Sequence, residues 1–233
     1  HVHTAASDGR DKLRAMVDAA REAGLDYIAI TDHSSSLRVA HGLDADALLR
    51  QGEEIARLND TLAGFRILHG CEVDIHADGS LDLPDDVLRR LDLVIGAIHA
   101  GFGLARERQT ARILRALERP VFHLLAHPFG RPPSGRAAID VDMERVLRQA
   151  RARGCALEVN GQPDRLDLDD VWCRAAVEHG TLLAIDSDAH SRYDVANLGF
   201  GVTQARRGWV ESGQVVNTWP LGRLCEWLRA CRT

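Results

Sequence analysis

Short apolar runs alternate with longer amphipathic stretches along the whole chain. Residues 12–23 show helical spacing and close at Gly24, and an apolar run over 27–31 reads as a strand. A polar loop with serines at 34–36 follows. Residues 44–63 predict a long helix, with Asp44 as N-cap and Gly64 at its end. Strand 67–74, helix 85–91, strand 93–98, helix 106–118 and strand 121–126 continue the alternation. Helix 140–153 stops at Gly154 before strand 156–160, and helix 168–179 stops at Gly180 before strand 182–186. A turn at 213–217 and a helix from Pro220 to Cys231 complete the chain.

With a first strand around Val2, the pattern counts seven strands, each followed by a helix. Such alternation implies a parallel sheet with right-handed crossovers. Polar residues recur where the apolar runs stop: Asp32-His33, Glu72, His99, His127, Asn160 and Asp188 with His190. Chemical groups at nearly every strand end favour closure into a barrel over a doubly wound sheet, whose site sits at one switch point. The expected fold is therefore α/β, a distorted (βα)7 TIM-like barrel with its site at the C-terminal strand ends. Residues 1–233 are expected to form one domain. The chain starts at His1 rather than Met, which leaves room for further residues or an upstream domain.

Nine side chains stand out as metal ligands: His1, His3, Asp8, His33, Glu72, His99, His127, Asp188 and His190. His1-Val2-His3 puts two imidazoles on one face of a strand, because side chains alternate there. Asp188-Ala189-His190 repeats the spacing with a carboxylate and an imidazole. Glu72 closes an apolar strand, and a buried carboxylate needs a compensating cation. Each fragment alone has a bland reading as turn, cap or isolated histidine; their recurrence at six strand ends does not. Mixed His and carboxylate ligands without cysteine favour Mn²⁺, Zn²⁺ or Fe²⁺. Nine ligands exceed the needs of one ion, so two or three are expected, with Glu72 suited to bridge two of them. Clustered divalent ions clamp phosphoryl oxygens and activate water, so phosphoester hydrolysis is the expected reaction.

Charge and cysteine content refine this picture. The formal net charge is −5, which argues against non-specific nucleic-acid binding. Three divalent ions, +6 in all, would bring it to +1 and place positive potential in one cleft. The basic residues are Arg apart from Lys12. Five cysteines without CxxC spacing fit reduced thiols in a cytoplasmic protein, and Cys71 reads as a packed thiol. No apolar run approaches the ~20 residues of a membrane span.

The segments HVHTAASDG, AITDHS, GCEVDI, AIHAGF, LLAHPFGR, LEVN and DSDAHS resemble the successive motifs of the polymerase and histidinol phosphatase (PHP) domain family. The resemblance implies a distorted seven-stranded barrel and a trinuclear site. It places one ion with His1, His3, Glu72 and Asp188, a second with Glu72, His99 and His127, and a third with Asp8, His33 and His190. Glu72, His99 and Asp188 are the expected catalytic members. HGLDADALLRQGEEIARLN, DGSLDLPDDVL, RLDLDDV, FGVTQARRGWV and VVNTWPL extend the similarity to the C-terminal PHP domain of bacterial X-family DNA polymerases. That implies a manganese-dependent 3′–5′ exonuclease or 3′-phosphatase acting in DNA repair, with a polymerase domain upstream. Within the 233 residues no polymerase domain is present. The alternatives are a small-molecule phosphomonoesterase of histidinol-phosphatase type and a non-catalytic, polymerase-associated domain.

Among the remaining residues, Arg131, four after His127, is the expected phosphate contact, ahead of Arg106, Arg108 and Arg165. Asn160 is expected to bind substrate or support a ligand by hydrogen bonding. Asp32 has two readings, helix cap or ligand orienter. His69 and His123 read as satisfied core or edge histidines, His76 and His179 as surface. His41 lies on a loop near the expected cleft, and Trp209 and Trp219 read as packing anchors.

Overall fold

The computed structural model describes residues 1–131 and 137–232. Six parallel strands follow one another in sequence order across one sheet: β1 (Tyr27–Ile30), β2 (Arg66–Asp74), β3 (Leu93–Ala97), β4 (Leu124–Leu125), β5 (Ala156–Asn160) and β6 (Leu182–Asp186). No reversal of order occurs, so there is no switch point and the sheet curls in the manner of a barrel wall. The helices between them are α1 (Leu13–Glu22), α2 (Ala45–Asn59), α3 (Asp85–Leu88), α4 (Arg106–Leu117), α5 (Met143–Arg153) and α6 (Asp170–His179); α7 (Leu198–Arg207) and α8 (Leu221–Ala230) follow β6.

The seventh expected strand, around Val2, is reduced to a single bridge. Val2 pairs with Ala189 beyond β6, and its carbonyl accepts from Thr31 N at 2.8 Å beyond β1. Its own N–H goes to the Thr31 hydroxyl at 2.9 Å, so a side chain stands where a ladder carbonyl would be. This short segment nevertheless ties the two ends of the sheet together at the ligand side. β4 is shorter than its apolar run for a similar reason: Val94 N donates to the His123 ring at 3.1 Å. Helix α2 stops before Gly64 because the Asn59 side chain leaves the helix to pair with both Ile67 N and Ile67 O at 2.9 Å. Asp44 does cap α2, accepting from Ala47 N, and Gly154 and Gly180 end α5 and α6 in left-handed conformation as the sequence indicates.

Helix α7 is not foreseen by periodicity, since Gly199 and Gly201 weaken its pattern. Gly201 is required by packing: a Cβ there would stand 2.7 Å from the Ile185 side chain, so α7 could not lie against β6.

Side-chain alternation divides each strand between two cores. Leu68, Leu93, Ile95, Ala97, Leu124, Ala126, Ala156 and Ala184 form one cluster inside the curl, closed by Trp219, Leu224 and Leu228 at the start of and along α8. Cys71, Val73 and Val94 face the other way, onto Leu48 of α2 and Leu88 of α3. Cys71 is thus a packed thiol, and all five cysteines are free. Among the described residues no helix is long and apolar enough to cross a membrane.

His123 pins α8 to this core. Its Nδ1 accepts from Val94 N, and its Nε2 donates to Leu228 O at 3.0 Å. Burial, reinforced by the Arg232 guanidinium, pushes its pKa from 6.5 down to about 4. Below pH 6.5 the unfolded chain binds a proton that the folded chain refuses until about pH 4, so stability falls across that window. The expected result is a melting temperature that drops on acidification from pH 7 to 4.5. In His123→Gln the drop should be shallower; equal slopes in wild type and variant would refute this account.

Candidate metal centre

On the inner face of the sheet, apolar residues fill the base of each strand and ligand atoms emerge at its end. On β2 the series Leu68, Gly70, Glu72, Asp74 shares one face; β3 continues Ile95, Ala97 to His99; β5 gives Ala156, Glu158, Asn160; β6 continues Ala184, Asp186 to Asp188. His1 and His3 flank Val2 on that same side. His127 departs from the alternation, and its left-handed backbone (φ 26°) turns the ring inward.

All nine expected ligands converge around Glu72. Its Oε2 lies 2.9 Å from His33 Nδ1, 3.3 Å from His1 Nε2 and 3.5 Å from His3 Nε2. Its Oε1 lies 2.9 Å from His127 Nε2 and 3.4 Å from His99 Nε2. Asp188 Oδ1 faces His3 Nε2 at 3.2 Å and His1 Nε2 at 3.5 Å. Asp8 Oδ2 stands 3.5 Å from both His33 Nε2 and His190 Nε2. Four subsets place their ligand atoms within 4.8 Å of one another: His3, Asp8, His33 and His190; His1, His127 and Asp188; His1, His3 and Glu72; and His33, Glu72 and His99.

The donor set fits cations on a second observation. His1 Nε2, both nitrogens of His3, His33 Nδ1, His127 Nδ1 and Glu72 Oε2 are buried without a hydrogen-bond partner. Buried polar atoms are rarely left so. Three of them, His1 Nε2, His3 Nε2 and His33 Nδ1, crowd Glu72 Oε2 within 3.5 Å yet are not aligned for hydrogen bonds, as lone pairs aimed at a shared ion would be. Electrostatics agrees. Burial would raise the Glu72 pKa, but His1, His33 and His99 hold it well below the usual range. Burial opposes charge on His33, yet Glu72 and Asp8 raise its pKa to about 10; His3, desolvated and beside His33, falls to about 3. Protons on some imidazoles thus balance the buried carboxylates where divalent ions would otherwise do so, and metal affinity should fall with pH.

Around the ligands sits a layer of groups that orient them. Glu158 is fully buried; its Oε1 is 2.6 Å from His1 Nδ1 and its Oε2 accepts from His127 N at 2.6 Å. Asp74 holds His99 Nδ1 at 2.6 Å. Each contact takes one ring nitrogen and leaves Nε2 turned to Glu72, the arrangement that fixes a ligand tautomer. Sequence reading passed over both residues. The available signal was a carboxylate inside an apolar strand, two positions from a site residue and so on the same face.

Asn160, also fully buried, donates to Glu158 Oε2 at 3.1 Å and to Asp188 Oδ2 at 3.0 Å, and its Oδ1 accepts from Gln162 N. Its amide thus supports two carboxylates within the protein. The Asp32 side chain caps no helix and bonds none of the nine ligands among the described residues: it accepts from Thr4 N, Thr4 Oγ1, Ser7 Oγ and Gln51 Nε2, while its carbonyl accepts from Glu72 N at 3.2 Å. Those side-chain bonds fix the loop that carries Asp8. Arg131 reaches outward, donating to Asp169 at 2.7 Å, and among the described residues none of its hydrogen bonds is with the nine ligands. Arg165 is nearer, with Nε 3.5 Å from Asp188 Oδ2 and Nη1 donating to Arg131 O at 3.1 Å. Arg106 pairs with Asp140 instead. His76 is half-buried and 3.7 Å from Asp82, His179 pairs with Glu144, and His41 is exposed with φ 53°. His69 is buried as expected, but its Nε2 has no partner.

Imidazoles and carboxylates gathered about a shared carboxylate, with an arginine beside them, define a metal-dependent phosphoesterase. A family model described as the PHP domain matches residues 1–161, and the chain belongs to that family. It is 42% identical over 217 residues to the DNA polymerase/3′-5′ exonuclease PolX of Bacillus subtilis, covering 93% of this chain and 38% of that protein. A probable phosphatase of Syntrophotalea carbinolica is 29% identical over 231 residues, with 93% and 90% covered. The fold is shared with a histidinol phosphate phosphatase of Lactococcus lactis, solved with zinc, L-histidinol and phosphate. The TM-score is 0.63 at 15% identity, covering 91% of this chain and 93% of that one.

Proposed function

We propose that this chain hydrolyses phosphoester bonds at DNA 3′ ends, as a 3′–5′ exonuclease or 3′-phosphatase serving DNA repair, using two or three divalent ions. The observation that carries the reading is the division of Glu72: Oε2 meets His1, His3 and His33, while Oε1 meets His99 and His127. A carboxylate with a separate histidine set at each oxygen suits a bridge between two ions. His1, His3, Glu72 and Asp188 would hold one, Glu72, His99 and His127 a second, and Asp8, His33 and His190 the third. When bound, such ions polarise a phosphoryl oxygen and supply an activated water. Zinc, manganese and iron(II) all suit this donor set; zinc accompanies the Lactococcus phosphatase.

The protein's own groups divide the remaining tasks. Glu72, His99 and Asp188 would hold the ions that act on the phosphoryl group; Asp74 orients His99 and Asn160 orients Asp188, while Glu158 orients His1. Asp8 and His190, each about a third exposed at 29% and 32%, form the open side by which substrate enters. Arg165 offers a guanidinium beside Asp188 with Nη2 unpaired among the described residues. A charged hydrogen bond contributes about 1.5–3 kcal/mol, so Arg165→Ala should raise KM roughly ten- to a hundredfold. Arg131→Ala, at the phosphate contact expected from the sequence, should raise it less; the reverse ranking would reassign the phosphate contact to Arg131.

DNA ends are favoured by the PolX relative, and a single PHP domain beside a polymerase domain fits the 38% of that protein matched here. The free thiols fit a cytoplasmic setting. A small-molecule phosphomonoesterase is the second reading, favoured by the probable phosphatase matched over 90% of its length. A 3′-ended labelled oligonucleotide and a panel of phosphomonoesters, each with added Mn²⁺ or Zn²⁺, separate the two. Progressive shortening of the oligonucleotide is expected. Rapid phosphate release from monoesters with an intact oligonucleotide would replace the first reading by the second.

A further inference from the structure

Trp209, which the sequence suggested as a packing anchor, is 75% exposed. It stands at the end of α7 in left-handed conformation (φ 59°), where the Val210 N–H bonds back to Ala205 O. That position after a helix ordinarily takes glycine. A large aromatic there combines backbone strain with an apolar surface in water, and neither favours folding. Strained, exposed residues are commonly retained for what they bind.

Its surroundings indicate the ligand. Trp209 lines an open groove with Val171, itself 69% exposed, and with Asp170, Arg174 and Arg207. Gly208 sets the aromatic close to α6, since a Cβ there would lie 2.4 Å from the Cys173 side chain. From this groove a chain of contacts leads back to the metal centre. Arg207 pairs with Asp170 at 2.8 Å; the adjacent Asp169 accepts from Arg131 at 2.7 Å; Arg131 O accepts from Arg165; and Arg165 stands at Asp188. Three guanidiniums, Arg207, Arg131 and Arg165, thus lie along one path, with Arg174, itself paired with Glu178 at 2.8 Å, in the groove at its far end; each faces a protein carboxylate that a phosphate would replace. Guanidiniums along a path that ends in an exposed aromatic are the pieces that hold a single nucleic-acid strand: cations follow the phosphates and the indole stacks on a base. A small phosphomonoester would span none of this path.

We propose that the groove between α6 and α7 is a binding track for single-stranded nucleic acid, in which Trp209 stacks on a base and the arginines follow the backbone towards the metal centre. The proposal rests on the DNA-end reading above, but binding can be measured without turnover. Trp209→Gly is the decisive variant, because glycine relieves the left-handed backbone and its melting temperature should match or exceed that of wild type. The probe is a fluorescein-labelled oligothymidylate of about 15 nucleotides, followed by anisotropy at low salt. Trp209→Gly should weaken its binding about five- to a hundredfold, and Trp209→Phe should keep most of the affinity. Intrinsic tryptophan fluorescence should be quenched by the oligonucleotide in wild type and much less in Trp209→Gly. Arg207→Glu should lower both the affinity and its salt dependence. Hydrolysis of bis(p-nitrophenyl) phosphate should be unchanged in all three variants. Equal oligonucleotide affinity in wild type and Trp209→Gly would overturn the track and leave the patch to a protein partner. Wild type that binds no oligonucleotide while hydrolysing the small diester would overturn it equally. Loss of hydrolysis of every phosphoester by wild type would instead strike the function proposed above.

Discussion

Glu72→Gln is expected to abolish hydrolysis and metal retention together. The substitution keeps size and shape but removes the charge on which five imidazoles converge: His1, His3, His33, His99 and His127. An amide presents one oxygen and one N–H₂ group, so it cannot serve both histidine sets. Ion-bound transition states gain several kcal/mol from the metal, and each 1.36 kcal/mol is tenfold in rate. A loss of about a thousandfold or more in kcat/KM is therefore expected. Protein loaded with Zn²⁺ or Mn²⁺, desalted and assayed for metal should hold two to three ions in wild type and fewer than one in the variant. Melting both in chelator separates folding from metal loss. A well-folded Glu72→Gln that keeps its metals and works within tenfold of wild type would remove the bridging role.

Glu158→Gln is expected to have the next largest effect, although Glu158 faces no substrate. Its carboxylate holds His1 Nδ1, His127 N and Asn160 at once. The single glutamine oxygen can replace either Oε2, at His127 N and Asn160, or Oε1, at His1 Nδ1, and the N–H₂ end would then face the other side's donor. Outer groups of this kind typically change metal affinity or activity 10- to 100-fold. The expected signature is a loss of that size in kcat together with weaker metal binding by competition with a chelator, while KM changes little. Added metal should restore part of the activity, because the ligands are displaced rather than deleted. A fall in melting temperature alone, with kcat and metal affinity unchanged, would reduce Glu158 to a packing role.

Much of the site could be read from the chain because the relevant rule is local. Alternation along a strand, with apolar residues stopping at a carboxylate or imidazole, marks Glu72, His99 and Asp188 whatever the strands do next. Asp44, Gly154 and Gly180 were legible for the same reason, since capping depends on a few adjacent residues. Less legible was the length of each element. The strand expected at Val2 becomes one bridge because the Thr31 hydroxyl takes its N–H, and α2 ends early because the Asn59 amide captures Ile67. These are contacts between residues distant in sequence, and no local pattern carries them.

The sequence by itself determined which nine side chains could hold ions, that they sit at strand ends, and that the sheet is parallel. Only the tertiary structure decided how they share their work. It divided Glu72 between two sets of histidines and showed Glu158 and Asp74 as the groups that turn His1 and His99. It brought Arg165 rather than Arg131 to Asp188, and left Trp209 in solvent rather than in the core. The physical reason is the difference between direction and distance. Alternation fixes the face on which a side chain emerges, but the curl of the sheet and the courses of the loops fix which neighbours it meets.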